Sequence, residues 1–416
     1  MSTKIRHTDA SPGKLAAGQA RVFWTGLHES CRVSLHVSKI LEWWRSMKRY
    51  LEAQVRRDLG RKMVFVGGPR QVGKTTLARS ILGKSAAGLL NWDVPAQRDA
   101  ILRQTFPRSR LWVFDEIHKY RKWRNYLKGV FDARAPGQRI LVTGSARLDC
   151  YRFGGDSLQG RYHYLRLHPL SAGELGMASA KDLAGLLALG GFPERFLGGS
   201  EKEARRWANE YRSRLVRDDL VSLEQVQDLG SMELLMTRLP ELVGSPLSIN
   251  SVAEQIQISY KTVRKWLAIL ERLYAIFVVL PYGSPKVKAV KKARKHYHFD
   301  WSLVPDSAAR FENLVASHLL KWVHFRADAE GHRTELRYFR DIEGREVDFV
   351  VAENGVPMLL VECKSSDREI SPSLRYLKQR FPAAQAWQVS ASGRRDYVSR
   401  EGIRVAPALD LLATLV

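Results

Sequence analysis

The stretch MVFVGGPRQVGKTT, residues 63–76, decides the fold of the first part of the chain. Its first four residues are apolar and predict a buried strand, and the apolar residues at positions 77, 78, 81 and 82 follow at helical spacing. Between the strand and the helix, residues 68–75 match the pattern G-x-x-x-x-G-K-[ST]. A strand, a glycine-rich turn and a helix in this order predict a phosphate-binding loop.

The residue types in this loop suit a nucleoside triphosphate. Glycines at both ends let backbone N–H groups surround the β-phosphate, and the helix directs its positive N-terminal end at the same anion. Lys74 is expected to reach the β- and γ-phosphate oxygens, and the Thr75 hydroxyl to ligate Mg²⁺. The predicted nucleotide-binding residues are Gly68, Pro69, Arg70, Gln71, Val72, Gly73, Lys74, Thr75 and Thr76.

A second apolar strand, residues 111–114, ends in the carboxylates Asp115 and Glu116. An isolated acidic pair after a strand is also common at a helix start, so the assignment depends on the phosphate-binding loop. With that loop, Asp115 is expected to hold Mg²⁺ through water, and Glu116 to orient and polarise the attacking water. The two motifs together predict ATP and Mg²⁺ as cofactors and ATP hydrolysis as the reaction.

A third strand, residues 140–143, leads into Gly144 and Ser145. A polar residue at this place can sense the γ-phosphate, and we favour Ser145 over Thr143 for that role; the alternative is a plain strand-ending turn. Arg161 is a candidate arginine finger, although many arginines are present and the sequence alone does not assign the role. Strands that alternate with helices in this way predict a parallel α/β sheet.

The overall composition favours a polyanionic partner. The 416 residues carry 67 Lys and Arg against 43 Asp and Glu, a formal net charge of +24. Solubility alone is the alternative, and an anionic membrane surface is a third option for which no basic amphipathic helix stands out. The N-terminus lacks an apolar signal segment, no run is long enough to span a bilayer, and the three cysteines stand apart. We therefore expect a cytoplasmic protein without a membrane partner.

Two segments are candidates for nucleic-acid contact. Residues 248–280 read as helix, turn, helix and strand, a winged-helix outline, and Lys261, Arg264 and Lys265 lie off the apolar stripe of the second helix. A basic run follows, made of Lys286, Lys288, Lys291, Lys292, Arg294 and Lys295. The alternatives are a helix that only packs on the core and a solvated loop. His296 and His298 lack a third metal ligand, so we do not expect a metal there.

A second acidic constellation lies near the C-terminus. Asp348 stands in one predicted strand, and Glu362 and Lys364 share a face of the next because residues two apart in a strand point the same way. This D…E-x-K arrangement predicts a second Mg²⁺ site with Asp348 and Glu362 as ligands and Lys364 beside the water. Glu312 on the preceding helix could face the same site. The alternative is a surface salt bridge within E-x-K.

Several motifs together resemble one family of proteins. GPRQVGKTT, LWVFDE, VTGSA, SLQGR followed by HPLSAGE, and GGFPE are similar to a prokaryotic AAA-type ATPase family that ends in a restriction-endonuclease-like domain of PD-(D/E)xK type. FENLVASHLL, REVDFVV and VECKSS extend the resemblance to the C-terminus. It implies an additional-strand P-loop fold, Arg161 as a finger that acts on a neighbouring subunit, and homo-oligomers, with a hexameric ring as one form.

These observations predict an α/β chain with an AAA-type P-loop core. The expected divisions are a basic tail (1–38), the ATPase core (39–175), a helical lid (176–230), a winged helix (231–283), and a basic segment with an endonuclease-like domain (284–416). The favoured function is an Mg-ATP-driven remodeller of DNA, branched or junction DNA in particular. The alternatives are an ATP-gated endonuclease and a nucleotide-controlled signalling switch that binds protein or RNA.

Overall fold

The computed structural model describes residues 47–83, 86–144, 158–215, 228–283 and 294–416. Residues 48–416 form one compact unit. It contains two sheets with helices packed against them. The basic tail predicted for residues 1–38 lies outside the described residues.

The first sheet confirms the prediction of a mixed α/β fold with a parallel sheet. Its strands are β1 (Met63–Gly67), β2 (Leu89–Asn91), β3 (Leu111–Asp115), β4 (Arg139–Thr143) and β5 (Tyr162–Arg166). They run parallel in the order β2-β3-β4-β1-β5. All residues of β1 and nearly all of β3 and β4 are buried, as expected for parallel strands covered on both faces. Because the strands are parallel, the residues that follow β1, β3 and β4 meet at one edge.

Eight α-helices lie between residues 52 and 238 of the described chain, the first four within the region of the first sheet and the other four after it. They are α1 (Glu52–Asp58), α2 (Lys74–Leu82), α3 (Pro95–Arg103) and α4 (Trp123–Asp132), then α5 (Ala180–Leu189), α6 (Pro193–Gly198), α7 (Glu201–Arg214) and α8 (Leu229–Arg238). Ser179 begins α5 with a capping box to Asp182, which satisfies the free N–H groups of the first turn. Residues 180–214 are mainly helical, whereas the lid predicted for residues 176–230 extends outside the described residues and stays a prediction.

Two helices and a strand pair follow. They are α9 (Ile249–Gln255), α10 (Tyr260–Arg272), β6 (Ile276–Pro281) and β7 (Lys295–His298). Strand β6 pairs antiparallel with β7 and parallel with β8 of the C-terminal region (Thr334–Arg340). The predicted division at residue 283 thus falls between two strands that lie side by side in one sheet. The winged-helix assignment stays a prediction.

The second sheet contains the predicted D…E-x-K strands. A long helix, α11 (Ser307–Ala329), precedes β8, β9 (Glu346–Glu353) and β10 (Val356–Lys364), and the chain ends with α12 (Pro372–Arg380), β11 (Gln385–Ser390), β12 (Tyr397–Val398), β13 (Ile403–Pro407) and α13 (Ala408–Leu412). The strand order is β12-β13-β11-β10-β9-β8-β6-β7. No helix in the described ranges combines the length and the apolar character needed to cross a bilayer.

Candidate nucleotide site and acidic cluster

The phosphate-binding loop occupies residues 68–73, between β1 and α2. Gly68 and Gly73 adopt positive φ angles of 129° and 95°, which glycine reaches without a steric penalty. A Cβ on Gly68 would lie 2.2 Å from the carbonyl oxygen of Leu167, so this position also requires glycine for space. Lys74 Nζ donates to the carbonyl oxygens of Gly68 (3.1 Å) and Pro69 (2.5 Å), which keeps its ammonium group at the loop.

Asp115 brings several elements together at the end of β3. Its Oδ2 accepts from Thr75 Oγ1 at 2.9 Å and from Asn91 Nδ2 at 3.2 Å, and its Oδ1 accepts from Thr143 Oγ1 at 2.6 Å. A hydroxyl and a carboxylate are the oxygen ligands that Mg²⁺ prefers, so Thr75 and Asp115 fit the predicted ion. The sequence prediction missed Asn91, which the pairing of β2 with β3 places opposite Asp115.

The favoured sensor, Ser145, lies outside the described residues. Its alternative, Thr143, is buried and ends β4, where it donates to Asp115. Thr143 also accepts from the Glu116 N–H through its carbonyl oxygen at 2.9 Å. Thr143 therefore fixes both residues of the acidic pair, whichever residue senses the γ-phosphate.

Glu116 stands at the tip of β3 in a strained backbone conformation. Its φ of 58° lies in the left-handed region, which is uncommon for a residue other than glycine and recurs at functional sites. Burial raises the pKa of the Glu116 carboxyl, while Lys74 and Lys119 act in the opposite direction. Oε2 lies 3.4 Å from His118 Nε2 and 3.8 Å from Lys119 Nζ. The Glu116 carboxyl group is thus largely shielded from solvent and lies within the electrostatic influence of Lys74.

Arg161 lies at the opposite edge of the same sheet. It immediately precedes β5, whose first residue, Tyr162, pairs with Met63, whereas the phosphate-binding loop follows the far end of β1. Its guanidinium pairs with Asp132 at 2.9 and 3.2 Å. Arg161 therefore does not face the nucleotide site of its own chain. A finger role for this residue requires the site of another subunit.

The second constellation brings together three acidic residues, here called the acidic cluster: Glu312 and Asp348, which are partly buried, and Glu362, which is buried. Asp348 Oδ2 accepts from the Cys363 N–H at 2.8 Å, and Lys364 Nζ pairs with Glu362 Oε1 at 2.7 Å. Burial and the nearby Asp348 raise the pKa of both Glu312 and Glu362 to about 7. The helix glutamate and the two strand acids are close enough to influence one another electrostatically.

Lys295 corrects one prediction from the basic run. Its side chain is 1% exposed, and Nζ lies 2.5 Å from Glu346 Oε1 and 3.4 Å from Glu312 Oε1. Burial alone would lower its pKa, but the carboxylates of Glu312, Asp348 and Glu346 outweigh burial and raise it. Lys295 is therefore an internal counter-ion of the acidic cluster rather than a residue free to contact a polyanion.

The predicted second Mg²⁺ site is incomplete in this arrangement. Within the described ranges, no three His, Cys, Asp or Glu side chains form a group that could hold a metal ion. Among those same residues none hydrogen-bonds to Glu362 Oε2, although this atom is buried. Glu362 Oε2 is thus a buried oxygen that could accept a contact from a cation. The positive charges that neutralise the cluster in this structure are those of Lys295 and Lys364.

The predicted nucleic-acid residues fall into two groups. Lys261, Arg264 and Lys265 are exposed on α10, whose other side packs into the core through Val263 and Trp266. In the basic run, Arg294 is half-buried, and four residues lie outside the described part of the chain: Lys286, Lys288, Lys291 and Lys292. His296, next to this run, is buried and bonds to the Leu239 carbonyl oxygen at 2.8 Å.

Comparisons with known proteins agree with the nucleotide site. Residues 60–176 match the model of the AAA domain, residues 180–313 match a Domain of unknown function (DUF8612), and residues 308–411 match another (DUF4143). The AAA match contains the phosphate-binding loop, Asp115 and Glu116. These findings support an AAA-type P-loop ATPase.

The relatives that match most of this chain are described only as uncharacterized proteins, so they assign no activity to it. Uncharacterized proteins of Mycobacterium bovis and Mycobacterium tuberculosis are each 26% identical over 350 residues, which cover 79% of this chain and 76% of theirs. Among solved structures, a Signal Transduction ATPase with Numerous Domains from Pyrococcus horikoshii is 14% identical, with a TM-score of 0.21, over 69% of this chain and 49% of that protein. The Bacillus subtilis DNA clamp loader delta protein is 10% identical, with a TM-score of 0.24, over 57% of this chain and 88% of that protein.

Proposed function

We propose that this protein is an Mg-ATP-dependent ATPase that binds and remodels DNA, branched or junction DNA in particular. The observation that carries the ATPase is the hydrogen bond of 2.9 Å between Thr75 and Asp115, beside a loop with the glycine geometry that phosphates need. Thr75 and Asp115 would hold Mg²⁺, which neutralises phosphate charge when bound. DNA as the partner is supported by the net charge and by the exposed lysines and arginine of α10.

The residues around the loop have distinct tasks in hydrolysis. Lys74 binds the β- and γ-phosphate oxygens, and Glu116 accepts a hydrogen bond from the attacking water and orients it. A raised pKa makes Glu116 a better proton acceptor than an ordinary carboxylate, and Lys119, with Nζ 3.8 Å from Glu116 Oε2, offsets part of its negative charge. Arg161 of a neighbouring subunit would stabilise charge on the γ-phosphate. This last step requires an oligomer.

Two substitutions test the ATPase. Lys74→Ala should abolish ATP binding because the phosphate charge loses its nearest cation. Glu116→Gln should bind ATP but turn over about 100-fold more slowly or worse, because an amide cannot accept the proton from water. Binding is measured with a fluorescent ATP analogue and turnover by phosphate release with Mg²⁺, and Glu254→Gln, at an exposed position of α9, is the matched control. Normal turnover in Glu116→Gln would discard the assignment of the water-orienting residue.

One experiment separates the functional classes. The ATPase rate and the integrity of the DNA are measured with single-stranded, duplex and four-way DNA at two salt concentrations. Stimulation by four-way DNA without cutting supports the remodeller, and loss of that stimulation at higher salt indicates phosphate contacts. ATPase activity that ignores every DNA supports the signalling switch and removes DNA remodelling from the proposal.

An ATP-gated endonuclease is the second candidate, because one observation favours it. The acidic cluster has a buried oxygen, Glu362 Oε2, next to Asp348 and Lys364, in the order that Mg²⁺-dependent nucleases use. This version predicts Mg²⁺-dependent nicking that requires ATP and is lost in both Asp348→Ala and Glu362→Ala. Intact DNA with the wild-type protein under all of these conditions removes the candidate.

A further inference from the structure

A buried ion triad, Arg49, Glu174 and Lys321, lies against the phosphate-binding loop. Arg49 Nε donates to Glu174 Oε1 at 2.8 Å, and Lys321 Nζ pairs with Glu174 Oε2. The three side chains are 2–3% exposed. Burying three charges is costly unless their remaining hydrogen-bonding groups are satisfied, so the other partners of the triad indicate its role.

Arg49 contacts the loop itself. Its Nη1 donates to the Val72 carbonyl oxygen at 2.6 Å, and its Nη2 donates to the His168 carbonyl oxygen at 2.6 Å. A trans peptide is planar, so the Val72 carbonyl and the Gly73 N–H point in opposite directions. By holding the carbonyl, Arg49 fixes the direction of the Gly73 N–H, one of the loop groups suited to bind phosphate. Gly73 has no side chain to restrict its backbone, so an outside contact must supply the restraint.

The other end of the triad belongs to α11. Lys321 Nζ also donates to Ser171 Oγ at 2.7 Å. One and two turns further along the same face, His324 Nδ1 lies 2.8 Å from His168 Nε2, and Asp328 pairs with Arg166 at 2.7 Å. Polar groups at positions 321, 324 and 328 thus attach α11 to the last residue of β5 and to the residues that follow it.

Apolar contacts strengthen this attachment. Phe325 and Ala329 of α11 pack against the core cluster of the first sheet. The ring of Phe325 meets that of Tyr50 edge-on at 6.0 Å, and the Tyr50 N–H donates to Glu174 Oε1 at 3.0 Å. The carboxylate of Glu174 is therefore shared between the segment that holds the loop and the helix that carries Glu312.

We propose that Arg49 is a positioning residue for nucleotide binding, and that Glu174 and Lys321 make its position depend on α11. This inference rests on the proposed ATPase function. A shift of α11 moves Lys321 away from Glu174 and so alters the ion pair between Glu174 and Arg49. Because Arg49 binds the Val72 carbonyl oxygen, the direction of the Gly73 N–H then changes as well. Linkage then requires that nucleotide binding alter α11 by the same coupling free energy.

Two substitutions test the inference by their effect on KM and kcat. Lys321→Met removes one charge and leaves a neutral Arg49–Glu174 pair, so the protein should fold; its KM for ATP should rise about fivefold. Arg49→Lys keeps the charge but loses the planar fork, and its KM should rise about tenfold, the worth of a hydrogen bond to a charged group. In both variants kcat should stay within about twofold, because the lost interaction acts on binding rather than on the chemical step.

Lys202→Met is the matched control, because Lys202 is exposed on α7, and its KM should equal that of the wild type. Far-UV circular dichroism shows whether each variant is folded. Folded Lys321→Met with an unchanged KM overturns the coupling to α11, and folded Arg49→Lys with an unchanged KM overturns the positioning role. A uniform fall in kcat with KM unchanged also overturns the inference, because it indicates general damage.

Hydrogen exchange of the wild-type protein decides the matter if a variant fails to fold. The amides of residues 321–328 are followed with and without a non-hydrolysable ATP analogue and Mg²⁺. Slower exchange with the nucleotide supports the coupling, and unchanged exchange at saturating nucleotide overturns it. Wild-type protein that binds no nucleotide at all refutes the proposed ATPase instead, so the two failures are distinguishable.

Discussion

Replacement of Glu362 by glutamine should stabilise the C-terminal region at pH 8 and have little effect at pH 5. Burial and the neighbouring Asp348 raise the pKa of Glu362 from 4.5 to about 7 in the folded protein. Because the folded state holds the proton of Glu362 more tightly than the unfolded chain does, this group lowers the free energy of unfolding least at a pH below about 4.5. The free energy of unfolding falls as the pH rises from about 4.5 to about 7. Glutamine carries no charge at any of these pH values and escapes the loss.

The size of the effect follows from that difference in pKa. A rise of about 2.5 pH units at 1.36 kcal/mol per unit corresponds to about 3 kcal/mol. Glu362, Asp348 and Glu312 titrate together, so part of this free energy belongs to the other two carboxyl groups. We therefore expect a gain of about 2 kcal/mol from Glu362→Gln alone. A gain of about 2 kcal/mol equals a rise of about 4–8 °C in the transition temperature for a unit of 150–250 residues, and of less than about 4 °C if residues 48–416 unfold together.

The assay is thermal unfolding of the full chain at pH 5 and pH 8 with EDTA present, read by calorimetry. Glu254→Gln, at an exposed position of α9, should not move the transition at either pH. If Glu362→Gln lowers the transition temperature at pH 8 without divalent cations, the reasoning fails, because the ionised carboxylate would then be well accommodated by Lys364. Added Mg²⁺ that raises the transition of the wild type but not of Glu362→Gln would favour a metal at the acidic cluster.

Two further predictions concern the nucleotide site. Thr143→Val removes the donor to Asp115 Oδ1 in a buried position and should lower kcat about tenfold, measured by phosphate release over a range of Mg²⁺ concentrations; an unchanged kcat would contradict the role given to this contact. Arg161→Ala should be nearly inactive alone but regain activity when mixed with Lys74→Ala, because the intact loop of one subunit then meets the intact arginine of the other. Mixing that restores nothing in a verified oligomer would exclude a finger acting between subunits.

The nucleotide site was predictable because its residues are contiguous or follow strands that must end at one edge. Gly68 and Gly73 lie within one loop, Lys74 begins the helix that follows it, and the apolar residues before Asp115 indicate a strand next to that loop. The backbone geometry that these motifs require follows from the residue types themselves, since glycine allows the positive φ angles. Asn91 escaped prediction because its contact with Asp115 depends on the register of a three-residue strand.

The ion triad could not be predicted, since its members are far apart in sequence. Arg49 and Glu174 are separated by 125 residues, and Glu174 and Lys321 by 147. Lys295 shows the same difficulty in another form. A run of basic residues indicates a polyanion surface, but it does not reveal which lysine turns inward to pair with partly buried carboxylates. Only the packing of β7 against Glu312 and Glu346 decides that.

Helix α11 links the two candidate sites through its opposite faces. Glu312 and Lys321 are nine residues apart, which at 100° per residue places them on opposite sides and about 13.5 Å apart along the axis. Glu312 belongs to the acidic cluster, whereas Lys321 joins the triad behind the phosphate-binding loop. A packed helix moves as a rigid element, so a cation or phosphate that shifts Glu312 must also displace Lys321 or strain its contacts. Under the proposed coupling, a ligand bound at the acidic cluster would change the affinity of the nucleotide site by the cost of that displacement, and reciprocity would give the nucleotide equal influence over the acidic cluster.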